Sequence, residues 1–325
     1  MVNLLKVQKT LLQLLAKAAG LRLQPVEVEP GTIISFWVPK EKAKSRKNVL
    51  TNKDVFPMGN SVDDENLRKE VKNKKERPAV VLVHGFATDG LVTWQFQLLA
   101  LTKKYDVYVP DLLFFGGSLT SSTDRSPRFQ AECMIAALAG LGVERCTVVG
   151  FSYGGFVAFK MAEIKPDMVH SLVISGSLIA MTDSMNESIL ETLGLESSAE
   201  LLLPETAKGV KALLSNAMYK KLWFPNFIFN DFLEVMFSHK KERAELLEAL
   251  VIRNDDASVP NLSQKILLLW GQNDRIFRLQ LAKDMKEQLG ENTSIQIIGK
   301  AGHLALLERP FRYNHYLKEF LATTS

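Results

Sequence analysis

The chain has 325 residues, 46% hydrophobic and 23% charged, with a formal net charge of +4. That leaves room for one large α/β domain with an insertion, or for two domains, and the charge is too mild for a nucleic-acid binder. Its two cysteines, Cys133 and Cys146, lie in apolar runs and read as reduced, buried thiols, and no apolar run reaches the roughly 20 residues of a membrane span. Lysines at 6, 9 and 17 break the N-terminal apolar stretch and no small-residue cleavage site follows, so no signal peptide is expected. The expected location is cytoplasmic, free or peripheral on a membrane, and the sequons at Asn186, Asn261 and Asn292 read as silent.

Residues 1–22 form the first unit. Val2 to Leu21 reads as an amphipathic helix, with Gly20 as its C-cap. At 100° per residue, Asn3, Lys6, Lys9, Thr10, Gln13 and Lys17 share one side. Leucine, valine and alanine cover the rest, with Gln8 as the one polar intruder. Two readings stand side by side. The helix docks on the body of the protein, or residues 2–19 make a peripheral membrane contact with the lysines at the head groups.

Val26–Glu29 and Thr32–Val38 read as a strand pair turning at Pro30-Gly31. The stretch 40–77 is rich in Lys, Glu, Asp and Asn and reads as a long, solvated, charged insertion. An alternating core follows. Apolar strands are expected at Ala79–Val83, Tyr108–Pro110, Cys146–Val149, Leu172–Ser175, Lys265–Trp270 and Ser294–Ile298. Helical patterns separate them at Trp94–Leu101, Pro127–Leu141, Gly155–Ala162, Leu279–Leu289 and Leu304–Leu321. Such alternation predicts an α/β fold with a mostly parallel sheet covered on both faces, built from 23–177 and 263–325. The stretch 178–262 breaks it. Patterns at Ala207–Lys221 and Asp231–Ile252 are helical and no strand is evident, so a helical cap over the carboxyl edge of the sheet is expected. Its aromatic patch, Trp223 to Phe229, reads as cap core, as an acyl-chain tunnel or as a membrane-contacting rim, and makes Trp223, Phe224 and Phe227 candidate substrate contacts.

Gly150-Phe151-Ser152-Tyr153-Gly154 stands between the Cys146–Val149 strand and a helix. A serine between glycines at such a switch is the nucleophile-elbow pattern. A serine hydroxyl needs a base, and the base needs an orienter. His303 follows the last strand, at the same sheet edge as Ser152; His170 precedes a strand, and His239 and His315 lie in exposed helical patterns. Asp274 follows the strand before His303 and is the candidate orienter, with Asp111 and Asp183 as alternative carboxylates. For an oxyanion, the amide of Tyr153 is one donor and that of Phe86, in the His84-Gly85-Phe86 loop, the other. The Phe86 ring is also a candidate lining of an acyl pocket. His84 reads as a structural imidazole that shapes this loop.

Taken together, these motifs resemble the α/β-hydrolase family from about Ala79 to the C-terminus. They are the elbow, the HGF loop, Pro110-Asp111 with Phe115-Gly116-Gly117-Ser118, the W-G-x-x-D turn at Trp270, and Gly302-His303 with Glu308-Arg309-Pro310. The N-terminal part, with its Glu29-Pro30-Gly31-Thr32 turn, is similar to plant hydrolases related to monoacylglycerol lipases and meta-cleavage-product hydrolases. The resemblance implies a Ser152–Asp274–His303 triad working through an acyl-enzyme, with neither cofactor nor metal. Two features depart from the family. The charged insertion is long, and Leu112-Leu113 replaces a basic residue. A serine nucleophile argues against epoxide hydrolase and haloalkane dehalogenase chemistry. The expected activity is hydrolysis of carboxylic esters of apolar acyl substrates, monoacylglycerol or lysophospholipid in kind. A carbon–carbon hydrolase or cofactor-free lyase, and a hydrolase-like ligand receptor, are the alternatives.

Overall fold

A computed structural model describes residues 3–43, 77–221 and 223–324. The charged insertion expected over 40–77 lies, except for its two ends, outside the described residues. The chain opens with α1 (Leu4–Ala18), then β1 (Leu21–Glu29) and β2 (Thr32–Pro39). The core begins with β3 (Ala79–Val83), α2 (Gly90–Thr93), α3 (Gln95–Leu101), β4 (Asp106–Pro110) and the short β5 (Leu119–Thr120). It continues through α4 (Pro127–Gly140), β6 (Cys146–Phe151), α5 (Tyr153–Ile164) and β7 (Val169–Ser175). After an insertion come β10 (Lys265–Gly271), α11 (Leu279–Leu289), β11 (Thr293–Ile298), α12 (Ala305–Glu308) and α13 (Pro310–Thr324).

The strands lie in the order β1-β2-β4-β3-β6-β7-β10-β11, with β5 paired to β2. From β4 to β11 every pairing is parallel; β1 and β2 form an antiparallel edge. Val80, Val81, Leu82 and Val83 are all fully buried, which explains the unbroken apolar run of β3. They alternate between two cores. Val80 and Leu82 pack with Ala16, Leu98 and Leu317 on one face, while Val81 and Val83 pack with Ala137, Val157 and Ala282 on the other. From β3 the chain steps to β4 on one side and then to β6 on the other. The crevice at that reversal is where open α/β sheets bind ligands. Val83 pairs with Gly150, so the loop after β3 and the elbow after β6 leave the sheet side by side.

Among the described residues, the insertion between β7 and β10 holds five α-helices: α6 (Asp183–Leu193), α7 (Ser198–Leu202), α8 (Ala207–Ala217), α9 (Asn226–Met236) and α10 (Lys240–Leu250). Thr182, Ser197 and Thr206 cap the first three through their hydroxyls. Two findings differ from the sequence reading. β8 (Met181–Thr182) and β9 (Val251–Ile252) form a parallel pair, too short to leave a periodic signature. The expected helix over Asp231–Ile252 is broken after Met236, where His239 takes a left-handed φ of 51°.

Helix α1 is shorter than the expected Val2–Leu21. Asn3 caps it by accepting from Lys6 N at 3.0 Å, and Gly20, at φ +87°, turns the chain into β1. It docks on the body through Ala16, Leu5 and Leu12, packing against α9, α2, α3 and β1. Leu4, Val7, Leu11, Leu14 and Leu15 stay exposed. Both cysteines are buried, free thiols, and burial pushes each up to about 12. No helix among the described residues is long and apolar enough to cross a membrane.

Candidate active site

Ser152 sits at the apex between β6 and α5 with φ 52° and ψ −123°, a strained backbone for a residue with a side chain. The turn is possible only because the residues around it lack a Cβ. One at Gly150 would lie 2.7 Å from Gly154 O, and one at Gly154 would run into the carbonyl of His84. The latter contact presses α5 against the loop after β3, so the amide-bearing residues Phe86 and Tyr153 flank the serine. Their rings meet edge to face, 5.6 Å apart.

His303 Nδ1 lies 2.8 Å from Asp274 Oδ2, with both side chains buried. The amides of Ile276 and Phe277 donate to Asp274 Oδ1, each at 2.9 Å. With one oxygen held by amides and the other facing the imidazole, the carboxylate fixes the proton on Nδ1 and leaves Nε2 as an acceptor. Phe151 and Phe277 flank the ring at 4.9 and 5.7 Å between centroids. A Cβ at Gly176 would come within 2.7 Å of His303 Cε1, so that glycine leaves room for the imidazole. Ser152 and His303 both face a cavity of about 360 Å³. No Asp, Glu, Lys or Arg is among the described residues that line it.

The structure sorts the other candidates. Phe86 and Phe224 line the cavity, but Trp223 and Phe227 do not; Trp223 is 82% exposed. The cause is register. α9 starts at Asn226 and turns Ile228, Phe229 and Phe232 inward, which places Phe227 on another face. His84 Nδ1 donates to Gly85 O at 2.6 Å while Nε2 accepts from Leu112 N at 2.9 Å, and burial lowers its pKa to about 4. It stays neutral and shapes the loop. Asp111 is a loop anchor, accepting from Gly90 N and Gly117 N at 3.0 and 3.3 Å. Burial first, then the charge of Asp89, push it up to about 7.

Three contacts around the candidate site are invisible in the sequence. Leu5 and Gln8 of α1 form part of the cavity wall, and the lone polar intruder on the apolar side of α1 is the only available hint. Lys9 Nζ meets Asp89 Oδ2 at 2.7 Å, directly behind the Phe86 loop. The Glu308 carboxylate accepts from Gly302 N at 2.7 Å and from Tyr219 N and Lys220 N at 3.0 and 3.1 Å, tying the His303 loop to the inserted helices. The missing basic residue at Leu112-Leu113 also has a counterpart. Arg243 of α10 lies 4.0 Å over the Phe115 ring and donates to Phe114 O, close enough to feel the charges of Asp89 and Asp111.

A family model described as the alpha/beta hydrolase fold matches residues 78–310. The chain belongs to the α/β-hydrolase family. This hydrolase is 24% identical to human epoxide hydrolase 4 over 284 residues, covering 76% of this chain and 73% of that one. It is 25% identical over 259 residues to the 2-hydroxy-6-oxo-2,4-heptadienoate hydrolase of Pseudomonas putida, covering 75% and 88%. Among solved structures, a putative lipase of Acinetobacter baumannii superposes with a TM-score of 0.74 at 21% identity, over 97% of the hydrolase and 96% of the lipase. A bacterial membrane phospholipase A does so with a TM-score of 0.72 at 23% identity, over 99% and 91%.

Proposed function

We propose that this hydrolase cleaves carboxylic esters of apolar acyl substrates, monoacylglycerol or lysophospholipid in kind, through an acyl-enzyme on Ser152. The observation that carries the reading is an Asp274-oriented His303 beside Ser152 on a cavity with no charged residue among the described residues that line it. Ser152 Oγ attacks the ester carbonyl and passes its proton to His303 Nε2, while Asp274 stabilises the imidazolium. The amides of Phe86 and Tyr153 receive the oxyanion. Collapse releases the alcohol, which takes the proton from His303. Water then attacks the acyl-enzyme, with His303 as base, and the free acid leaves. Residues 178–262 serve as the cap that shapes the acyl cavity, over a core of 23–177 and 263–325. Contact with a lipid surface through residues 2–19 is part of the same reading.

The relatives include a carbon–carbon hydrolase of a dienoate. A dienoate carries a carboxylate, and burying one without a cation is costly. The uncharged lining therefore favours an ester whose buried part is an apolar acyl chain, with any charged head group left outside the cavity. Ser152 in place of an aspartate likewise disfavours epoxide opening. The test is labelling by a fluorophosphonate probe with Ser152→Ala as control, followed by an ester screen over acyl length and head group. An unlabelled Ser152 overturns the proposal. Labelling with turnover only on vinylogous diketones moves it to carbon–carbon hydrolysis, and labelling without turnover on any substrate moves it to a receptor.

A further inference from the structure

Helix α1 has three faces rather than two. Leu5, Gln8, Lys9, Leu12, Ala16 and Ala19 are turned to the protein. Leu4, Val7, Leu11, Leu14 and Leu15 form a second stripe about 120° around the helix, and all five are exposed, Leu11 at 57% and Leu14 at 56%. Lys6, Thr10, Gln13 and Lys17 occupy the third face. Docking thus uses only about half of the apolar surface of α1, and the other half faces solvent.

We propose that this leucine stripe is the surface by which the protein rests on an anionic lipid bilayer, and that substrate passes from the bilayer into the cavity beside α1. The choice of a bilayer rests on the apolar-ester reading above; the docking face itself does not. Charge favours this occupant. Helix α1 contains three lysines and no acidic residue; Lys9 pairs with Asp89 and Lys6 with Glu234, which leaves Lys17 on the flank next to the stripe to face head groups. A second anchor stands beside it. Leu4 N donates to Asp231 Oδ2 at 2.7 Å, and Asn3 and Lys6 reach Glu234, so the start of α1 lies on the Asp231/Glu234 face of α9. Phe227 occupies that same face one turn earlier and is exposed, just after the exposed Trp223 and the exposed Lys220-Lys221 pair. Aromatic residues beside lysines are the composition of a membrane–water boundary. Cavity and stripe share one helix, since Leu5 and Gln8 line the cavity from its inward face. An apolar ester held in a bilayer under the stripe is then separated from the cavity by the width of one helix. The lysines do not all reach head groups, as the simplest sequence reading expects. Lys9 points inward to Asp89.

The test is co-flotation with vesicles of phosphatidylcholine containing phosphatidylglycerol, compared with phosphatidylcholine alone. The variant is Leu11→Gln with Leu14→Gln, two side chains outside the core. Each leucine moved from water into acyl chains is worth about tenfold in partition, and each lysine near an anionic surface about fivefold. The wild type floats with the anionic vesicles and less with the neutral ones. The double variant loses at least tenfold of that binding, while its fluorophosphonate labelling rate and its turnover of a short soluble ester stay unchanged. Wild type left at the bottom, or a double variant that floats equally well, overturns the proposal. So does a wild-type dimer in sedimentation that the double variant splits, because a second copy would then cover the stripe. Flotation without labelling sinks the catalytic reading and leaves the docking surface standing.

Discussion

Replacing Lys9 by methionine tests whether α1 positions the oxyanion loop. Lys9 Nζ is 2.7 Å from Asp89 Oδ2, and Asp89 Oδ1 accepts from Val92 N at 3.0 Å, capping α2 three residues after Phe86. The next residue, Gly90, donates its amide to Asp111. Lys9 therefore pairs with buried Asp89 and, more weakly, favours the ionised form of Asp111, the two carboxyl groups that fix this loop. Breaking a buried pair from one side costs about 3–5 kcal/mol. Lys9 keeps 28% of its side chain in water, so about 2 kcal/mol is expected here. The pH dependence follows from Asp111, raised from 3.8 to about 7 by burial and then by Asp89, with Lys9 acting against the rise. In that window the folded state holds a proton that the unfolded state has lost, so ionising Asp111 lowers stability as pH rises. Without Lys9, ionised Asp111 loses a counter-charge. The stability loss in Lys9→Met must then be larger at pH 8 than at pH 6. The assay is urea unfolding at both pH values together with kcat and KM on a short soluble ester. We expect kcat to fall about tenfold from a displaced donor, KM to change little because Lys9 does not line the cavity, and Lys9→Arg to restore most of the rate. Unchanged kcat with equal stability losses at both pH values would refute the reasoning.

Asp274→Asn should leave the protein folded and drop kcat about 10⁴-fold, as an amide that donates to His303 imposes the wrong tautomer; steady-state kinetics beside a melting curve check this. Glu308→Gln should weaken the bonds from Gly302, Tyr219 and Lys220, lowering both Tm and kcat, the latter about tenfold; a lower Tm with unchanged kcat would show that Glu308 does not hold the His303 loop. His84, lowered from 6.5 to about 4 by burial, has the opposite linkage to Asp111. Between those values the unfolded state binds the extra proton, so stability climbs with pH, by about 3 kcal/mol in all. In the wild type the two trends oppose each other. Asp111→Asn removes one of them, and its urea midpoint should climb from pH 4 to 6.5 where the wild type is nearly flat.

The parallel core is legible because its strands are buried on both faces, and a short apolar run such as Val80–Val83 between turn residues is what such a strand requires. Ser152, Asp274 and His303 can be singled out for a related reason. Each follows a strand, and parallel strands bring all such loops to one edge. What stays hidden depends on pairing between distant segments. Nothing in a periodic pattern says that Lys9 will meet Asp89, that Glu308 will reach Tyr219, or that Arg243 will stand where Leu112-Leu113 lacks a cation. Trp223 and Phe227 fall outside the cavity wall because composition marks an aromatic patch but does not say where a helix begins. Once α9 starts at Asn226, the choice between wall and rim is fixed by angle. The same limit applies to α1, whose broad apolar surface reads in sequence as a choice between docking and exposure. The structure divides it between the two.

That division has an energetic consequence. The second half of α1 is anchored by fully buried Ala16 and, near its middle, by the Lys9–Asp89 pair. The first turns are held differently. Their ion pair, Lys6 with Glu234, is more than half exposed on both sides, and such pairs are worth about 1 kcal/mol or less. Leu5, the cavity-lining apolar side chain of α1, belongs to these first turns and is only half-buried. Detaching the whole helix would leave buried Asp89 without its cation, whereas lifting its first turns about Lys9 breaks exposed polar contacts and the packing of half-buried Leu5. The part of the cavity wall that α1 supplies is therefore displaced most cheaply at the end of α1 nearest α9. Displacement there leaves the Lys9–Asp89 contact, and with it the Phe86 loop, in place.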